Sequence, residues 1–154
     1  MKLGKWLMPI IASVVVASPF TAQAFSDADL KGGFGCIGTL HGTRGDVTEL
    51  MQLNFNGAAG VTGNVHVLMS GEDCLASVGS SSKYSTNKDG TGLLTLKLSF
   101  SGSECTRLSR KFGTQNLIFV LERAAMVFDF AAQDDSFGVG WGSFTGACTG
   151  QGQF

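Results

Sequence analysis

Four cysteines, two histidines and a few carboxylates are the residues of this chain whose chemistry could carry a function. Cys36, Cys74, Cys105 and Cys148 show no C-x-x-C spacing, and His41 and His66 lie far apart in the chain. The pattern therefore predicts no zinc site, and no metal or cofactor is expected. Gly142-Ser143-Phe144-Thr145-Gly146 has the glycines of a nucleophile elbow, but its serine is the second residue rather than the third, and no strand-to-helix turn is expected there. Asp134-Asp135 could act as an acid and base pair or hold Ca²⁺. Without further oxygen ligands at regular spacing it reads as a solvated turn. Asp129, between Phe128 and Phe130, is expected to point away from their apolar face, and His41 and His66 to be surface or hydrogen-bonded structural groups. No catalytic residue is assigned.

The N-terminal residues define the compartment in which those groups are read. Lys2 and Lys5 precede an uncharged run from Trp6 to Phe20, and Ala22-Gln23-Ala24 places small residues at −3 and −1 of a cut before Phe25. The run is shorter than the ~20 apolar residues of a membrane span, and Pro9 and Pro19 interrupt it. Residues 1–24 are thus read as a cleaved signal peptide and residues 25–154 as one domain, exported to the periplasm or the extracellular space. Phe25 as the first mature residue offers no thiol for a lipid anchor, so no membrane insertion is expected after cleavage. With Lys2 and Lys5 removed, nine Lys and Arg face 12 Asp and Glu, a net charge of about −3. That balance argues against nucleic acid as a partner, and Arg107, Arg110 and Lys111 read as a solvated loop tip.

Positioning of the chemistry falls to β-structure. Gly contributes 22 residues, about twice the usual ~7% share, spread between apolar runs as turns rather than pooled in repeats. After one short helical turn capped by Ser26, period-two segments recur and nothing later reads as helical. Strands are expected over Gly32–Thr43, Glu49–Phe55, Val61–Met69 and Cys74–Thr86. The Asn87-Lys88-Asp89-Gly90 turn then leads to a strand with Leu94, Leu96, Leu98 and Phe100 on one side. Ser101–Gln115 reads as the longest loop, followed by Asn116–Glu122, a strand carrying Met126, Phe128 and Phe130, and a last one over Phe137–Thr149. The fold class expected is all-β, an antiparallel up-and-down barrel of about eight strands, with a two-sheet β-sandwich as the second choice.

An oxidising compartment favours disulfides, and four cysteines allow three pairings. A hairpin centred on Asn87–Gly90 brings Cys74 to Cys105 at its open end. A sheet that closes on itself makes its first and last strands neighbours, which brings Cys36 to Cys148. One pairing meets both conditions.

Leu30-Lys31-Gly32-Gly33-Phe34, Leu53-Asn54-Phe55-Asn56-Gly57-Ala58-Ala59-Gly60-Val61-Thr62-Gly63, Tyr84 to Leu96 and Leu117-Ile118-Phe119-Val120-Leu121 follow one another in a familiar order. They resemble a group of exported bacterial β domains of uncharacterised function, with the patterns F-D/N-G-x-G-x-V-T-G and N-x-D-G-T-G-x-L-T-L. The resemblance covers most of the mature chain and implies a meander barrel similar to calycins and allene oxide cyclase. It brings no catalytic residues.

Met51, Met69, Phe100, Phe119, Met126, Phe128 and Phe130 are the residues expected to line a ligand pocket, since flexible and aromatic side chains on inward faces either fill a core or enclose an apolar molecule. The first functional reading is therefore a non-catalytic exported binding protein holding a small hydrophobic ligand in its barrel. The alternative is a structural or protein-interaction module of the cell envelope with an envelope protein as partner. An isomerase or cyclase is the third reading.

Overall fold

The structure, a computed structural model, describes residues 24–42, 45–69, 71–106, 108–122, 127–133 and 142–152. The residues before Ala24, where the signal peptide is expected, and Arg107, Met126 and Asp134-Asp135 lie outside the described residues. Nine strands follow a 3₁₀ turn at Asp27–Asp29: β1 (Lys31–His41), β2 (Val47–Asn56), β3 (Val61–Met69), β4 (Glu72–Val78), β5 (Lys83–Thr86), β6 (Thr91–Phe100), β7 (Thr114–Leu121), β8 (Val127–Ala132) and β9 (Ser143–Gly150). All pair antiparallel. β1 meets β9 and β4 meets β6, so eight strands close into a barrel with β5 as one outer strand beside β6. Closure leaves no long strand edge with unpaired backbone groups.

Period-two patterning explains which residues turn inward. On β2, Val47, Glu49, Met51, Leu53 and Phe55 are buried while Leu50, Gln52 and Asn54 are exposed. β6 buries Leu94, Leu96 and Leu98 and exposes Lys97 and Ser99. The turn between β5 and β6 forms as its residue types require: Gly90 takes φ +88°, and Asp89 Oδ1 accepts hydrogen bonds from the Thr91 N–H (3.0 Å) and hydroxyl (2.7 Å). Those bonds hold the Asp89 carboxyl below its usual range.

Both expected disulfides are present, Cys36–Cys148 joining β1 to β9 and Cys74–Cys105 joining β4 to the segment after β6. Two expectations need correction. The single strand expected over Cys74–Thr86 is two strands, β4 and β5, that run along the same edge of β6 with an interruption between them. The Ser82 hydroxyl repairs the gap by accepting the Lys97 N–H at 2.9 Å, and Gly79 N–H donates to the Lys97 carbonyl at 2.7 Å. The expected loop at 101–115 contains two short helices, α1 (Ser103–Thr106) and α2 (Ser109–Phe112). Leu108 and Phe112, four residues apart, bury one face of this segment, and α2 packs on β6 and β7.

At the opposite end of the barrel the 3₁₀ turn is tied across the opening. Ser26 N–H and hydroxyl donate to Asp29 Oδ2, Thr86 N–H donates to Asp27 Oδ1 at 2.6 Å, and the buried Tyr84 hydroxyl lies 2.9 Å from the Leu30 carbonyl. Tyr84→Phe should cost about 1–2 kcal/mol, because it strands a buried acceptor. Denaturant unfolding of the variant checks this; an unchanged midpoint would mean that water satisfies the Leu30 carbonyl.

Candidate functional site

Three of the residues expected to line a pocket, Phe119, Phe128 and Phe130, pack against other rings of the core. Phe128 is fully buried, with its ring centroid 5.5 Å from Phe34, 5.5 Å from Phe119 and 5.8 Å from Phe55. Phe34 and Phe55 meet edge to face at 5.3 Å, and Tyr84 closes on Phe55 at 5.0 Å. Further along the barrel, Phe130 and Phe144 pack at 5.6 Å. They fill the space left by the cross-strand glycines Gly38 and Gly146: a Cβ on Gly38 would fall 2.3 Å from Phe144 Cζ, and one on Gly146 2.4 Å from Phe130 Cζ. Met51 is buried in the same core, whereas Met69 and Phe100 are partly buried against it.

One polar pair interrupts this apolar interior. Glu49 and Gln115 are both fully buried, and Gln115 Nε2 donates to Glu49 Oε1 at 2.8 Å and Oε2 at 3.0 Å. Glu49 stands beside Gly38 on β1 and Val67 on β3; Gln115 reaches it from β7, beside Leu96 of β6. Desolvation pushes the Glu49 carboxyl up to about 7, against the weaker opposing effect of the Gln115 hydrogen bond. Gln115 Oε1 is buried and has no hydrogen-bond partner.

The outer face carries the remaining chemistry. His66 Nδ1–H donates to Asp73 at 3.0 Å and His41 Nδ1–H to Asp46 at 3.2 Å, both exposed pairs. Ser143 lies opposite His41 in the β1–β9 register, so a serine, a histidine and an aspartate fall in sequence along the surface. With 68% of the His41 side chain and 71% of Asp46 exposed, nothing shields that group from water. Asp129 is exposed on β8, as expected. Among the described residues no group of three or more His, Cys, Asp or Glu is arranged to hold a metal ion, and no helix is long and apolar enough to cross a membrane.

Two adjacent cross-strand rows on the outside differ sharply in character. The register aligns Ala147, Ile37, Leu50, His66 and Leu75 over β9, β1, β2, β3 and β4. Ile37 is 59% exposed and Leu50 and Leu75 are also exposed, although each is a large apolar side chain. The neighbouring row runs through Thr149, Gly35, Gln52, Asn64 and Ser77. Between the rows lies an open groove of about 420 Å³ over Gly35, walled by Leu50, Leu75, His66, Gln52, Asn64 and Gln151. Gln52 Nε2 donates to Gln151 Oε1 at 3.4 Å across its mouth.

No family model, curated protein or solved structure matches this chain. The site is therefore read from its geometry alone. Both Glu49 and the groove escaped the sequence reading, for different reasons. Glu49 had a signal: it stands two residues before Met51, in phase with Leu53 and Phe55, as Gln115 stands in phase with Leu117 and Phe119. The groove had none, because its walls come from strands whose side-by-side order exists only once the register is set.

Proposed function

We propose that this protein is an exported, non-catalytic binding module that recognises an uncharged peptide segment of a partner protein on the outer face of β1–β4. The observation that carries the reading is the paired rows, one of Ile37, Leu50 and Leu75 interrupted by His66 and one of amides and small hydroxyls, flanking a groove with no Lys, Arg, Asp or Glu in its wall. An extended peptide has the matching composition, with backbone amides for Gln52, Asn64 and Gln151 and alternate side chains for Leu50 and Leu75. Gln151 lies over the glycine floor, its Nε2 3.2 Å from where a Cβ on Gly35 would stand, so its amide faces whatever enters the groove. The interior gives less support to ligand binding, since Phe119, Phe128 and Phe130 contact other rings there. The two disulfides are compatible with export into an oxidising compartment.

Peptides selected from a random display library on the immobilised protein test this reading. Leu50→Asp and Asn64→Ala are each expected to weaken their binding about tenfold or more with unchanged unfolding midpoints, as loss of a central contact does. Retention of an apolar dye or an extractable lipid by Leu50→Asp as strongly as by the native protein, with no peptide selected, would return the site to the barrel interior.

A further inference from the structure

The buried pair of Glu49 and Gln115 is independent of the outer groove and has no role there. As placed, a carboxylate would rest on a single amide donor in an apolar surround, while the amide oxygen beside it, Gln115 Oε1, has nothing to accept. A buried charge with so little compensation is costly, and a buried unpaired acceptor adds to the cost. One proton resolves both defects. We propose that Glu49 is uncharged in the folded barrel and forms a reciprocal acid–amide pair with Gln115, its O–H donating to Gln115 Oε1 while Gln115 Nε2 donates to the other Glu49 oxygen. The pair makes the barrel a pH-sensitive device, tight when Glu49 holds its proton and loosened when the proton leaves.

Among the described residues the surroundings supply no competing charge. Gly38, Leu40, Val65, Val67, Leu96, Phe130 and Phe144 occupy the inward positions of the neighbouring strands, and Cys74 is in a disulfide. Glu72 shares the inward phase of β4 but is exposed at its end. Lys97 is exposed on the outer face with its Nζ on Thr114, and Arg110 and Lys111 of α2 are exposed. His41, Asp46, His66, Asp73 and Asp129 are exposed or paired outside. The upward shift of Glu49 correspondingly arises from burial, with the Gln115 hydrogen bond opposing it.

The sign follows from linkage. A carboxyl raised from 4.5 to about 7 binds a proton in the folded state over a window where the unfolded chain has lost it. Stability is therefore full below about 4.5, declines as pH rises to about 7, and is flat above that. The folding equilibrium constant should fall about 300-fold across the window, the factor implied by a titration moved from 4.5 to about 7. Glu49→Gln keeps the shape and both hydrogen bonds but cannot ionise.

Denaturant unfolding of the native protein and of E49Q from pH 4 to 9 provides the test. The native-minus-variant difference cancels the other carboxylates and should change about 300-fold between the two limits, with E49Q the more stable form at pH 8. Equal pH profiles for the two proteins would overturn the proposal. Where E49Q does not fold, the carboxyl ¹³C resonance of Glu49 in the native protein decides: a titration midpoint near 7 supports the neutral pair, and one near 4.5 removes it.

Discussion

Replacing Cys36 and Cys148 together by alanine is expected to lower the unfolding free energy by about 5 kcal/mol, the largest effect of any substitution considered. The bond links residues 112 apart in sequence, and in the chain-entropy account a loop of that length constrains the unfolded chain by about this amount. Replacing Cys74 and Cys105, separated by 31 residues, should cost about 4 kcal/mol by the same relation. The first loss alone is comparable with the whole stability of many small domains. Placement sharpens the difference. Cys36–Cys148 fastens the seam where β1 meets β9 from Phe34↔Gly150 to His41↔Ser143, and without it the ladder's hydrogen bonds must hold the ring shut. Denaturant unfolding of both double variants, with the intact protein alongside, gives the comparison. A smaller loss at the seam than at Cys74–Cys105 would mean that the β1–β9 ladder is already restrained in the unfolded chain.

Phe128→Ala should be the most damaging single core substitution, at about 3–5 kcal/mol. Its ring is the one shared by Phe34, Phe55 and Phe119, and it sits beside Cys148 in the β8–β9 register. Truncation opens a space that three strands would have to collapse to refill, and their positions are fixed by pairing on both sides. Phe100→Ala, at a partly buried position, should cost clearly less. Thermal or denaturant unfolding of the two variants ranks them. Similar losses would show that the packed rings yield readily, which would reopen room for a ligand in the barrel.

Strand alternation was legible because a barrel enforces it twice: each strand has one wet and one dry side, and the partners on both flanks repeat the same phase. Val61–Met69 was read to its ends for this reason. The disulfide pairing was legible because closure converts sequence distance into proximity. The break between β4 and β5 was not, since Ser82 looks like any polar strand residue until its hydroxyl is seen replacing a backbone acceptor. The helices at Ser103–Thr106 and Ser109–Phe112 are too short for periodicity to announce, although the spacing of Leu108 and Phe112 fits one helical face. Gln115 was read as the end of a polar loop, and only the β6–β7 register shows it turned inward opposite Glu49. Polar residues in apolar phase were the clue that alternation offered and that a count of hydrophobic positions passes over.

The seam between β1 and β9 also sets how the chain is wired. Phe34 and Gly150 are cross-strand neighbours, so the two ends of the barrel sequence emerge side by side. The ring accordingly has no privileged starting point. Joining those ends with a short linker and opening the exposed turn at Asn87, Lys88 and Asp89 would re-order the polypeptide while leaving every strand next to the same neighbours.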